Sequence, residues 1–176
     1  HQVTGSVDFA YFQPAVTAGW SAGGNMSIAR RYLAGAGTQT AALGFGGFTG
    51  ANTAATEEYN SGTWSTAPSN MIIARNALAG AGTQTSALAF GGFIAAVTSA
   101  TEEYNSGTWS NAPSNMIIAR VYLAGAGTQT AGLAFGGATP ANTTATEEYN
   151  SGTWSNAPSN MIIARQLLAG AGTQTA

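Results

Sequence analysis

The stretch Ala55-Thr-Glu-Glu-Tyr-Asn-Ser-Gly-Thr-Trp-Ser65 occurs again, unchanged, at residues 100–110 and 145–155. Three identical copies at a spacing of 45 residues make the chain a repeat, and the repeat decides the architecture. Arg30, Arg75, Arg120 and Arg165 keep the same spacing, as do Trp64, Trp109 and Trp154, while Trp20 lies 44 residues before Trp64.

Within one unit the pattern reads as four short strands separated by Gly, Asn, Pro and Ser, the residues turn geometry favours. In the copy that starts at Arg75 these are ALAGAGTQ (77–84), SALAFGGF (86–93), ATEEYNS (100–106) and a strand beginning near TWSNA (108–112). The only stretch that approaches a helical pattern, SNMIIAR, is too short to hold a helix. Helical repeats of this length need long amphipathic segments, and β-helix repeats have a shorter period. Four strands per unit of about 45 residues is the arithmetic of a β-propeller blade.

Composition narrows the function classes. Only 7% of the 176 residues are charged, against roughly 25% in an ordinary domain. Lysine is absent and five arginines face seven acids, so a basic nucleic-acid footprint is not expected. Without cysteine no disulfide or thiolate site is available. The strongly apolar runs are as short as MIIA, which predicts no membrane insertion and shows no secretory leader. A surface rich in Thr, Ser and Gly and poor in charge fits an extracellular or virion setting.

The residues FGG, then EEY, then a Trp five residues after the Tyr, then Met and Arg, resemble the kelch motif. In the first copy they are Gly46, Gly47, Glu58, Tyr59, Trp64, Met71 and Arg75. The second has Gly91, Gly92, Glu103, Tyr104, Trp109, Met116 and Arg120, and the third Gly136, Gly137, Glu148, Tyr149, Trp154, Met161 and Arg165. The resemblance covers about residues 20–176, and no Trp is followed by Asp as in WD40 blades. It implies that the Gly pair lets backbones approach closely while the Tyr and Trp fill the space between adjacent sheets. Each buried ring contributes roughly 1.5–3 kcal/mol, and identical neighbours call for identical residues.

The expected fold is therefore all-β, a small propeller of four kelch-like blades forming a single domain over 1–176. Residues 31–75, 76–120 and 121–165 are the repeats. Residues 1–19 supply degenerate strands of the first blade, 20–30 its end, and 166–176 the closing inner strand. In the degenerate part Gln13, Pro14 and Ala15 stand where the repeats have EEY, and Phe9, Tyr11 and Phe12 are the available aromatic substitutes. Ala and Gly of LAGAG allow inner strands to crowd a narrow axis. Kelch-like propellers more often have six or seven blades; the alternatives are two chains sharing blades or a piece of a longer array.

The chain offers little chemistry. The pairs Glu57–Glu58, Glu102–Glu103 and Glu147–Glu148 are the repeated acids, but neighbours on a strand face opposite ways and cannot share an acid–base site. One Glu of each pair is expected to bridge to an Arg at a blade junction, the other to be solvated. His1 is the sole histidine and Asp8 the sole aspartate, so no triad or metal cluster assembles, and no cofactor is expected. The copper site of some kelch-like oxidases, built with Cys and His, is not available. Asn25-Met-Ser and Asn142-Thr-Thr fit the N-glycosylation sequon.

The copies differ after the Gly pair, over residues 48–54, 93–99 and 138–144. Thr49, Asn52, Ile94, Val97, Thr139 and Asn142 are the candidate contact residues on these loops, which carry no charge and so speak against strong ion binding. The sequence also resembles repetitive kelch-like proteins of marine bacteriophages, of tail-fibre or virion-appendage type. That resemblance implies a non-enzymatic structural or adhesion propeller acting through other protein subunits or host-surface glycans; a lectin-like glycan-binding module is the alternative.

Overall fold

A computed structural model of the chain describes residues 22–174. The expected first-blade strands in 1–19, with Trp20, His1 and Asp8, lie outside the described residues. What is described is all-β, with no helix. The first sheet joins β1 (Ala34–Gly37), β2 (Ala41–Phe45), β3 (Thr56–Asn60) and β4 (Thr63–Thr66) in that order, every pair antiparallel. The second joins β5 (Ala79–Gly82), β6 (Ser86–Phe90), β7 (Thr101–Asn105) and β8 (Thr108–Asn111) in the same way. In the third, β9 (Ala124–Gly127), β10 (Ala131–Phe135), β13 (Thr146–Asn150) and β14 (Thr153–Asn156) repeat the order. A two-residue hairpin, β11 (Ala138–Thr139) with β12 (Ala141–Asn142), sits in the loop between β10 and β13.

Strand bounds follow from backbone chemistry. The second strand stops at Phe90 rather than Phe93 because Gly91 and Gly92 take φ of 67° and 106°, a region open to Gly and closed to most side chains. The first strand starts at Ala79 rather than Ala77 because Ala77 itself is left-handed, φ 54°. MIIA does not coil. Ile72 and Ile73 instead donate their backbone N–H groups to the Glu102 carboxylate, at 2.7 and 3.3 Å.

The sheets meet through their first strands, with β1 beside β5 and β5 beside β9. Small residues make this approach possible. A Cβ on Gly80 would lie 2.8 Å from the Gly35 carbonyl oxygen, one on Gly125 2.5 Å from that of Gly80, and one on Gly170 2.4 Å from that of Gly125. At the fourth step, Gly170 to Gly35, no such contact exists among the described residues. All four Gly-Ala-Gly segments nevertheless border one shared opening, bounded by Gly35, Gly80, Gly125 and Gly170. A glutamine from each next segment ties down the sheet before it. Gln84 donates to the carbonyls of Tyr59 and Ala42, Gln129 to those of Tyr104 and Ala87, and Gln174 to those of Tyr149 and Gly132.

The core lies between neighbouring sheets. Leu43 and Phe45 of the first pack with Met71, Leu78, Tyr104 and Trp109. Leu88 and Phe90 of the second pack with Met116, Leu123, Tyr149 and Trp154.

Candidate functional site

The motif residues occupy the junctions between sheets. Tyr104 and Trp109 are tilted rings 5.1 Å apart, and Trp109 meets Phe45 of the preceding sheet edge-on at 5.1 Å. Tyr149, Trp154 and Phe90 repeat the arrangement. Each indole N–H has a partner, Trp109 donating to Thr56 Oγ1 and Trp154 to Thr101 Oγ1, both at 3.0 Å. Tyr59 and Trp64 pair in the same way at 5.2 Å but stay half-buried. Beside them, Met26, Leu33 and Trp64 border an open hollow of ≈ 450 Å³.

Gly46, Gly91 and Gly136 sit against the carbonyls of Arg75, Arg120 and Arg165, where a Cβ would lie 2.8–2.9 Å from oxygen. Gly47, Gly92 and Gly137 donate their N–H groups to those same carbonyls, at 2.8–2.9 Å. The Gly pair thus marks the point where one unit's loop touches the chain entering the next.

The Arg–Glu bridges recur. Arg30–Glu57, Arg75–Glu102 and Arg120–Glu147 are 3.1, 3.2 and 2.8 Å apart, with side chains at most 1% exposed. Burial pulls the Arg75 pKa down to about 10, with Glu102 opposing the shift, and lowers Arg30 and Arg120 in the same sense. Arg165 is exposed, and among the described residues it has no carboxylate.

The second glutamates were expected in solvent; all three are half-buried, and two of them are engaged across a sheet junction. Glu58 accepts a hydrogen bond from the Tyr104 hydroxyl at 2.7 Å, and Glu103 one from Tyr149 at 2.6 Å. The facing sheet covers what a lone strand would leave in water. Burial first, and the nearby carboxylate second, push both phenols well above the ordinary tyrosine range.

The loops gather at one end of the sheets. Asn52 donates to the carbonyls of Phe93 and Ile94 in the next loop, at 3.1 and 2.7 Å, and accepts from Asn76. Val97 packs with Ala77, Val121 and Ala138. Thr49, Ile94, Thr139 and Asn142 are exposed.

A basin of ≈ 460 Å³ opens between these loops. Its walls are built from backbone pairs. Arg31 and Phe48 exchange two backbone hydrogen bonds, and so do Asn76 with Phe93 and Val121 with Ala138. The Arg31 guanidinium lies 5.1 Å from the Phe48 ring centroid and 5.5 Å from that of Tyr32, whose ring meets Tyr122 edge-on at 5.7 Å. Sequence reading from the loops alone missed this cation, because Arg31 lies outside the loop it faces. The signal was present in Arg30-Arg31-Tyr32, Arg75-Asn76-Ala77 and Arg120-Val121-Tyr122, where the two positions after each repeated Arg also differ between copies.

Compared with known proteins, the chain matches no family model and no curated protein sequence. Among the described residues no group of three or more His, Cys, Asp or Glu is placed to hold a metal ion, and no helix is long and apolar enough to cross a membrane.

Proposed function

We propose that the chain is a four-bladed kelch-like β-propeller that acts without catalysis, as an adhesion module whose loop-bearing end meets a partner surface. The ring reading rests on the four Gly-Ala-Gly segments around one opening. It rests also on residues 22–30, which dock on the first sheet as residues 71–75 dock on the second: Ser27 N–H donates to Glu57 Oε1, and Arg30 pairs with the same carboxylate. On this reading the fourth blade is completed within one chain by residues 1–30 and 166–176.

One observation carries the adhesion reading. Of the 45 columns of the repeat, 34 are identical in all three copies and 11 differ. Every residue bordering the basin lies in one of five differing columns, those of Arg31, Tyr32, Phe48, Gly50 and Asn52. The differing columns elsewhere interchange small residues such as Ala, Gly, Ser, Thr and Asn, apart from Ile94. Around the basin three of the five interchange Arg, Asn and Val, or Tyr and Ala, or Phe and Ala, and the other two interchange Gly, Ala and Pro, or Asn and Val. A junction that must fit identical neighbours stays uniform; an end that meets something unlike itself is free to diversify. The buried Glu57, Glu102 and Glu147 are paired with Arg30, Arg75 and Arg120, which suits a scaffold. The setting is a virion appendage of tail-fibre type or another extracellular assembly, where many copies raise avidity without new contacts.

The test displays the full chain on beads and measures retention on host-cell and glycan surfaces. Replacing the loops 48–54 and 138–144 with the 93–99 sequence should abolish retention, while replacing the remote turn at Ser61 and Gly62 should not. Retention that ignores the loops would overturn the reading.

A further inference from the structure

The basin has an unusual composition for this chain. Arg31 is the one arginine that does not follow the repeated register, and among the described residues it makes no ion pair. Its guanidinium lies on Phe48 and Tyr32, and among the described residues no carboxylate borders the basin. The six described glutamates all lie in β3, β7 and β13, committed as above or set on those strands. A cation held on rings without a counter-ion presents its fork of donors to whatever enters, and a planar guanidinium matches a carboxylate in two-pronged fashion. Tyr32 and Phe93 are 45% and 39% exposed at the rim. A volume of ≈ 460 Å³ is within the range of small-molecule sites.

The backbone supports the same conclusion. Tyr32, Ala77, Tyr122 and Leu167 hold left-handed φ of 56°, 54°, 55° and 58°. For a side chain with a Cβ this conformation is strained. Here it is held by a relay of hydrogen bonds around the axis, Ala77 N–H to Tyr32 O, Tyr122 N–H to Ala77 O and Leu167 N–H to Tyr122 O, at 2.8–2.9 Å. Glycine would adopt it without strain, yet two of the four positions carry tyrosine, and both tyrosines border the basin.

We propose that the basin is a binding site for a sugar ring bearing a carboxylate, a uronic-acid-type unit of an acidic glycan. Arg31 takes the carboxylate, and Tyr32, Phe48 and Tyr122 take the apolar face of the ring. This rests on the adhesion reading above and names its ligand class. The second and third copies of the Arg31 column, Asn76 and Val121, carry no charge, so the site is single although the scaffold is repeated.

The experiment titrates the full chain with methyl β-glucuronide, methyl β-glucoside and benzoate, followed by NMR shifts. Arg31→Gln and Tyr122→Leu are the variants, each first checked for an unchanged melting temperature. The glucuronide should bind at least about tenfold more tightly than the glucoside, and Arg31→Gln should remove that difference. Equal binding of the two glycosides, or a preference that survives Arg31→Gln, overturns the proposal, as does absence of binding by either. Benzoate binding alone, dependent on Arg31, also overturns the sugar assignment and points to an aromatic carboxylate. The bead assay separates the two claims. Retention insensitive to Arg31→Gln leaves adhesion standing and ends this inference, whereas no retention by the unaltered chain ends both.

Discussion

The Tyr104 hydroxyl donates to Glu58 Oε1 across a sheet junction at 2.7 Å, and Tyr149 reaches Glu103 in the same way. A phenol buried against a carboxylate resists losing its proton. Its folded pKa is raised above the unfolded value, so its contribution is complete below about pH 10 and is lost as pH rises further. Tyr104→Phe should cost about 1–3 kcal/mol at neutral pH. The difference from the unaltered chain should shrink above pH 10, where only the tyrosine chain gains by ionising on unfolding. Denaturant titrations at pH 8 and pH 11 check both signs. Arg75, whose lowered pKa acts in the opposite sense, is common to both chains and cancels.

Arg75 and Glu102 are both wholly buried, and Glu102 also accepts from Ile72 and Ile73. Glu102→Ala would strand a charge and two backbone donors. Removal of one partner of such a pair costs about 3–5 kcal/mol. Ser110→Ala, at an exposed position on β8, should stay within about 0.5 kcal/mol. Thermal melts of the two variants test the contrast; similar losses would show that the bridges are not what the junctions depend on.

The first strands touch through bare backbone. Gly125→Ala would place a Cβ 2.5 Å from the Gly80 oxygen and 2.7 Å from Phe90 Cζ, neither of which can swing aside. A loss of more than about 2 kcal/mol is expected. Gly35→Ala meets only the Leu43 oxygen, at 3.2 Å, and should be milder. Urea midpoints rank the pair.

Gln129 is the buried tie between the second and third sheets, donating to the carbonyls of Ala87 and Tyr104 at 3.1 and 2.8 Å. Gln129→Ala leaves both with one partner fewer and should cost about 1–3 kcal/mol. Hydrogen exchange should then speed up in β5, β6 and β9 ahead of β1 and β2. Uniform protection loss would instead indicate one cooperative unit.

The four-strand unit could be read from the chain because three copies fix the phase of every turn. The Arg–Glu bridges followed from matched copy number. What escaped depended on the neighbouring sheet. Glu58 looks solvated on its own strand and is covered only when Tyr104 arrives from 46 residues away. Ile72 and Ile73 look like half a helical turn until the Glu102 carboxylate takes their N–H groups. The basin escaped for a similar reason. Arg31 and Phe48 are 17 residues apart and meet through backbone hydrogen bonds that any residue types can make, so side-chain pattern carries no trace of the pairing. Only the divergence of both columns hints at a shared site.

Closure of four blades within one chain, as proposed above, fixes an intrachain distance. The chain has no cysteine, so Thr17→Cys and Ser159→Cys can carry spin labels without background. Ser69 and Ser114 accept from the backbone N–H of Trp109 and Trp154, and Ser159 and Trp20 hold the matching positions of the repeat. A closed ring gives one short, narrow distance that persists when labelled protein is diluted into excess unlabelled protein. A broad distribution, or a short distance that vanishes on dilution, would contradict closure within the chain.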